Sequence, residues 1–244
     1  MSAGLVVAAA IGRSRSQLSV CSLDGVELAQ VSHDQEIGVG PDVLMPVVVG
    51  HLTRMLAELG RTGEEVVGVG LSLPGTVDPV RVVSVDSPAL AGWDGIALAP
   101  YLREVTGAPL VIDNDCNVMA LSERDGHLRD HDDVLVLKAS TGLGAARSVV
   151  RESGRRVGEA LAATVTVLNP RAIVVGGDMA GAFDTFAAGL RDTLFPATTA
   201  LAGRDLQVLA STYGERAGLV GCVRLALEAV LSPRTVDAAL AGRR

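Results

Sequence analysis

Aromatic side chains are nearly missing from this sequence: they make up 2% of the 244 residues, with one Trp, two Tyr and three Phe. A core must then be built from Ala, Val and Leu, and 48% of the chain is hydrophobic. Cysteine is scarce as well. Cys21, Cys116 and Cys222 lie far apart with no C-x-x-C pair, which excludes a disulfide framework and suggests small core hydrophobes in a reducing cytoplasm. There is no basic excess, since 21 Lys and Arg face 28 Asp and Glu for a net charge of −7, so the chain alone has no field for steering onto nucleic acid. No apolar run is long enough to cross a membrane. The first one breaks at Gly12 and Arg13 and follows no basic region, as a signal peptide would require. The length suits one large or two ordinary domains, and 28 Gly residues punctuating apolar runs favour an α/β protein.

The pattern alternates strands with helices. Residues 5–11 read as a strand and 16–31 as a hairpin whose Asp24-Gly25 pair has the chemistry of a type I′ turn. Helical periodicity follows over 42–59, then a buried strand over 66–75 ending in a Pro-Gly turn. Next come a helix near 96–105, a strand at 109–113, a helix over 114–124 and a strand over 133–140. The last third gives a helix over 155–168, a strand over 171–178, a helix near 183–194, a strand near 206–210 and a helix near 215–231. A hairpin followed by β/α units and then a second β/α set predicts two related lobes, 1–113 and 114–244, with a cleft between them.

The segment PLVIDNDCNVMAL, residues 109–121, sets Asp113, Asn114, Asp115 and Asn117 among core-like neighbours. Asn and Asp are preferred helix caps and frequent turn residues, and polar groups at a strand's carboxyl end in an α/β sheet also face the ligand crevice. A cap needs one such residue, and four are present.

Five segments in order carry a resemblance: GVGLSLPGTVDP (68–79), DSPALAGWDGIALAPYL (86–102), VIDNDCNVMALSER (111–124), VLVLKASTGLGA (134–145) and NPRAIVVGGDMA (169–180). Together they resemble the ROK family (repressor, open reading frame, kinase), and most of all the effector half of actinobacterial ROK repressors. The resemblance implies the actin-like ATPase fold, which is ribonuclease H-like and shared with sugar kinases. It implies a sugar held by Gly75, Asn114 and Asp115, with Asp115 as the general base that takes the proton of the attacking hydroxyl. It also implies phosphate or nucleotide contacts at Gly12, Thr141, Gly142, Gly144, Gly176 and Gly177.

The departures weigh against catalysis. Where the family's first strand ends in D-x-G-G-T, this chain reads AIGRS, with Ala10 for the carboxylate, Arg13 for the second glycine and Ser14 for the threonine. Losing a preorganised charged group of that kind costs roughly 3 kcal/mol, and Arg13 crowds a loop that needed glycine. Arg13 is also able to contact a phosphate, which leaves nucleotide binding by a rearranged loop open. Asp178 stands where glycine is usual, and Ala89 replaces a sugar-binding Asn. The hairpin, the E-x-G-H sequence and the Cys-rich zinc motif that normally follow TGLGAA are absent, so no zinc is expected and the second lobe is shortened.

His33, His51, His127 and His131 read as solvated positions without metal convergence, and Trp93 as core packing rather than a sugar-stacking surface. The expectation is a cytoplasmic, non-catalytic, sugar-sensing effector domain with a small sugar ligand. It forms a homodimer, carries no metal, and binds neither membrane nor, by itself, nucleic acid. Because the first strand starts at Leu5, a transcriptional role is expected to need an N-terminal winged-helix module or a partner in addition to this chain. One alternative is an ATP-dependent hexose kinase using Asp115, with Mg²⁺ held by the phosphates. Another is a dimeric scaffold joined through the helices over 155–168 and 215–231.

Overall fold

The computed structural model describes residues 4–88, 90–131, 133–139 and 147–241. The chain divides into two compact units, Met1–Leu121 with Gly218–Arg244, and Ser122–Ala217. This differs from a division after residue 113. The helix that follows the last strand of the first sheet, and the C-terminal helices, pack on that sheet: Val118, Leu219 and Cys222 share a buried cluster with Ala8.

The first unit is built on a five-stranded sheet in the order β3-β2-β1-β4-β7. Its central strand β1 (Leu5–Ile11) is buried at six of seven positions, because it lies between antiparallel β2 (Arg15–Ser22) and parallel β4 (Val66–Leu73). Edge strand β3 (Glu27–Asp34) alternates between exposed and half-buried, as a strand covered on one face does. The turn between β2 and β3 is not type I′. That turn needs positive φ at both central residues, whereas Gly25 has φ of 82° and Asp24 is not among the positive-φ residues. The Gly25 N–H bonds the Ser22 carbonyl at 3.0 Å and the Ser22 N–H bonds the Val26 carbonyl at 2.9 Å, which is a three-residue loop closed by a left-handed glycine.

Helix α1 (Pro41–Glu58) starts with Pro41 at its first position, where the missing N–H costs nothing, and buries Leu44, Met45, Val48, Leu52, Met55 and Leu56. Short strands β5 (Val77–Asp78) and β6 (Val83–Ser84) pair antiparallel. The helix expected near 96–105 shrinks to α2 (Ala99–Leu102), since 90–98 is spent on turns and a bridge, with the Asp94 carboxylate accepting the Asp86 N–H at 2.7 Å. Leu98 and Leu102 still reach the core beside Leu90 and Trp93, whose indole N–H donates to the Val39 carbonyl at 2.9 Å. Trp93 is thus a core residue. The unit closes with β7 (Leu110–Asn114) beside β4, then α3 (Asp115–Ser122).

The second unit carries a parallel three-stranded sheet in the order β10-β9-β8, from β8 (Val134–Lys138), β9 (Ala172–Gly176) and β10 (Gln207–Ala210). It repeats the parallel half of the first sheet without the antiparallel hairpin, and among the described residues no strand pairs with the other edge of β8. Helix α4 runs over Arg147–Leu168, eight residues earlier than the apolar pattern indicates, and packs on α5 (Phe183–Ala197); α6 (Ala200–Gly203) follows. Helices α7 (Ala217–Val230) and α8 (Pro233–Ala241) end the chain. Among the described residues no helix is long and apolar enough to cross a membrane.

One pairing escaped the sequence pattern: the rings of His33 on β3 and His51 on α1 stand 5.4 Å apart, centre to centre. Burial, then the charge of His33, then that of Arg54, hold the His51 imidazole below its ordinary value. The native state therefore binds fewer protons than the unfolded chain below about pH 6.5. Stability is complete above that value and falls as the pH drops through it. In urea unfolding compared at neutral and mildly acidic pH, His51→Gln should flatten this dependence. A slope identical to that of the parent chain would remove His51 from the account.

Candidate functional site

Strand β7 passes into α3 with no intervening loop, so the four polar residues Asp113, Asn114, Asp115 and Asn117 meet the point where the parallel strands β4 and β7 end. Ligands of open α/β sheets bind at such carboxyl ends. Two of the four residues first answer a local need. The Asn114 side-chain carbonyl accepts the Cys116 N–H at 2.8 Å, capping α3, while its amide donates to the Gly75 carbonyl. One Asp113 oxygen accepts the Asn114 N–H at 2.6 Å and the Asn117 amide at 2.7 Å. Gly75 sits at φ of 85°, and a Cβ there would stand 2.1 Å from the Ser87 hydroxyl oxygen, so the turn that Asn114 grips tolerates only glycine. Ser87 in turn donates to the Pro74 carbonyl at 2.8 Å.

Around this frame lies an open cavity of about 550 Å³ lined by Gly75, Thr76, Val77, Pro79, Asp113, Asn114 and Asn117. The carboxylate and two carboxamides offer both acceptors and donors to one ligand, the combination a polyhydroxylated molecule requires. Of the predicted sugar residues, Gly75 and Asn114 line the cavity. Asp115 does not; it is half-buried at the first position of α3, where a carboxylate also suits the helix dipole. Thr76, Asp113 and Asn117 line it without having been singled out as sugar contacts. Asp113 and Asn117 were legible in principle, since residues four apart across a helix start share one side.

The predicted phosphate residues divide between the units. Gly12 closes the β1–β2 turn: its N–H bonds the Arg15 carbonyl at 2.9 Å, and a Cβ would lie 2.5 Å from that oxygen. The Gly12 carbonyl is held by the Gln35 amide at 2.9 Å, and Ser16 donates to the Gln35 side-chain oxygen at 2.7 Å. This turn is consumed by hairpin bonds, with Ala10 beside it in place of a carboxylate. Gly176 ends β9 in the second unit and Gly177 follows it, where a Cβ would stand 2.7 Å from the Ala139 carbonyl oxygen. Thr141, Gly142 and Gly144, like Ala89, lie outside the described residues. Among the described residues no three His, Cys, Asp or Glu side chains gather where a metal ion would be held.

A buried carboxylate outside the predicted set belongs to the second unit. Glu123, fully buried, accepts the Ser211 hydroxyl at 2.7 Å, the Thr212 N–H at 3.0 Å, the Thr212 hydroxyl at 2.7 Å and the His127 N–H at 3.3 Å. The His127 ring is bonded to the Ala210 carbonyl oxygen at 2.8 Å, which joins the same two segments.

The chain is similar to several known proteins. A glucokinase from Thermotoga maritima is 28% identical over 135 residues, 55% of this chain and 41% of the relative. A beta-glucoside kinase from Listeria innocua is 34% identical over 117 residues, 46% of this chain and 38% of the relative. A xylose repressor from Bacillus subtilis is 24% identical over 105 residues, 43% of this chain and 27% of the relative. The matches thus span less than half of each of these relatives. Among solved structures, a ROK family transcriptional regulator homologous to the E. coli Mlc protein aligns with a TM-score of 0.76 at 15% identity, covering 96% of this chain and 81% of that one. A Streptomyces griseus ROK glucokinase in complex with glucose and AMPPNP aligns at 0.71 and 19% identity, covering 91% and 99%. These likenesses show the fold, the α/β architecture of actin-like ATPases. The ROK family model matches residues 7–147 and 144–229, and the chain belongs to the ROK family.

Proposed function

We propose that this chain binds a small sugar in the cavity at the ends of β4 and β7 and does not phosphorylate it, acting as the sugar-sensing domain of a regulator. The observation that carries the reading is a contrast within the first unit. The cavity keeps the polar groups of Asp113, Asn114 and Asn117, while the β1–β2 turn has lost its carboxylate and spends its backbone groups on Arg15 and Gln35. Both kinds of relative support it, the glucokinase and the xylose repressor.

Calorimetry over a panel of pentoses and hexoses tests the binding step. Asn117 is exposed, so Asn117→Ala should leave the melting temperature in place and weaken the bound sugar about tenfold. Asp113→Ala also strips the bonds to Asn114 and Asn117 and should weaken it further, by roughly a hundredfold. Equal affinity in the parent chain and both variants would place any sugar elsewhere. An ADP-release assay with the same panel should stay at background. Turnover that Asp115→Asn abolishes would instead establish the kinase reading, which the position of Asp115 next to Asn114 favours.

A further inference from the structure

His33 and His51 stand where two apolar patterns call for core residues. Along β3 the core-facing positions alternate, so His33 continues the series of Ala29 and Val31, both packed against the main cluster of the first unit. Along α1, His51 falls three residues after buried Val48 and four before buried Met55, on the stripe that also buries Leu52. Both imidazoles are half-buried at the rim of that core. An aliphatic side chain would serve either position without desolvating a polar ring, yet the two positions that meet carry the same ligating group.

Their nitrogens are uncommitted. Among the described residues neither ring has a hydrogen-bond partner, whereas the His127 ring is held by the Ala210 carbonyl oxygen. The two ring centres are 5.4 Å apart and the ring planes are inclined at 52°. A transition ion bonds imidazole nitrogen at about 2.0–2.1 Å, which sets the ring centre about 3.2 Å from the ion, so two rings at the tetrahedral angle stand about 5.2 Å apart. The spacing of this pair meets that requirement with no movement of either backbone.

We propose that His33 and His51 together bind one divalent transition ion of the copper, nickel and zinc class, with water completing its coordination, and so clip edge strand β3 to α1. Imidazole suits these ions, while calcium and magnesium call for oxygen donors. Both arms of the clip are anchored: β3 pairs with β2, where His33 lies opposite Ser16, and α1 buries Leu52 directly after His51. Two features keep the affinity modest. The ion has only two protein ligands, and the Arg54 guanidinium adds a positive charge near His51. Strand β3 is at the opposite edge of the sheet from β7, so the clip is separate from the sugar cavity and stands whether or not a sugar binds there.

Zinc calorimetry on the full chain, joined to electron paramagnetic resonance of its copper(II) form, tests the clip. The parent chain should take up zinc at this pair, and zinc at about ten times its dissociation constant should raise the melting temperature by about 3 °C. His33→Gln and His51→Gln should each weaken uptake about a hundredfold, because the second imidazole of a chelate binds within the same molecule. His131→Gln, in the second unit, should leave uptake unchanged. The copper spectrum should show coupling to two imidazole nitrogens in the parent and to one in either single variant. Melting without metal checks that the variants are folded, and the parent's copper spectrum counts the ligands even where a variant is not. Absence of zinc uptake overturns the proposal, as does a parent copper spectrum with one nitrogen or none. Uptake unchanged in both single variants also overturns it and leaves His33 and His51 as a ring contact only.

Discussion

Replacing Glu123 with alanine is expected to destabilise the chain by about 4 kcal/mol, the largest loss anticipated here from a polar substitution. The carboxylate is fully buried and accepts four hydrogen bonds, three of them from Ser211 and Thr212 just past β10. Alanine removes the acceptor shared by the buried Ser211 hydroxyl and by the Thr212 and His127 groups beside it, and an unsatisfied buried donor costs more than the bond it made was worth. Glu123→Gln separates charge from shape. Its side-chain oxygen still serves Ser211 and the Thr212 N–H, but its amide confronts the His127 N–H, one donor against another. That variant should lose about 1–2 kcal/mol. Urea midpoints read both effects, and a drop of roughly 10 °C in melting temperature should accompany the alanine variant. Glu123→Ala unfolding at the parent midpoint would mean that the four bonds carry no net stability.

Glu123 also marks what a sequence hides. A Glu near the end of a helical pattern reads as solvated surface, since charged residues are rarely buried unless paired. Its partners are 88 and 89 residues away, at Ser211 and Thr212, beyond the reach of any local pattern. The elements with simple periods were legible: β1 and β4 as apolar runs, α1 from its stripe, β9 from Ala-Ile-Val-Val. The first two turns of α4 were not. Their period is carried by Val150, Gly154 and Gly158 between Arg147, Arg151, Glu152, Arg155 and Arg156, and glycine counts as a breaker when only propensity is weighed. Helix α8 shows only Val236 and Leu240 above its polar residues, too few to register as a stripe. At the site, capping and lining the cavity coexist in one residue, since Asn114 caps α3 and lines the cavity together. Which carboxylate faces that cavity depends on where strand becomes helix: Asp113 ends the alternation of β7, and Asp115 already follows the rotation of α3.

The glycines that obscured α4 are the reason it packs as it does, and they set the second large expected effect. A Cβ at Gly154 would stand 2.1 Å from the Phe186 carbonyl oxygen, one at Gly158 2.5 Å from that of Leu190, and one at Gly189 1.9 Å from that of Arg151. These are backbone atoms and cannot turn aside, so α4 and α5 approach to a distance that no side chain permits. Thr193 adds a bond from its hydroxyl to the Arg155 carbonyl at 2.6 Å, and Asp192 lies against Arg151 at 2.9 Å and Arg155 at 3.2 Å. The Arg151 bond holds the Asp192 carboxyl below its usual range, but the group is exposed and screened, so the seam rests on close packing. Gly189→Ala should therefore destabilise by about 2–3 kcal/mol, although alanine is the better helix former by about 1 kcal/mol. Gly154→Ala should cost about as much. Once the helices have separated for the first methyl group, the second meets less resistance, so the double variant should fall short of the sum by at least 1 kcal/mol. A double-mutant cycle on urea midpoints measures that shortfall. Strict additivity would show that the two glycines relieve separate clashes and that the seam does not move as one body. With only three strands described in this unit's sheet, its core depends on Phe186, Leu190 and Val165 staying buried where α4 and α5 close over it.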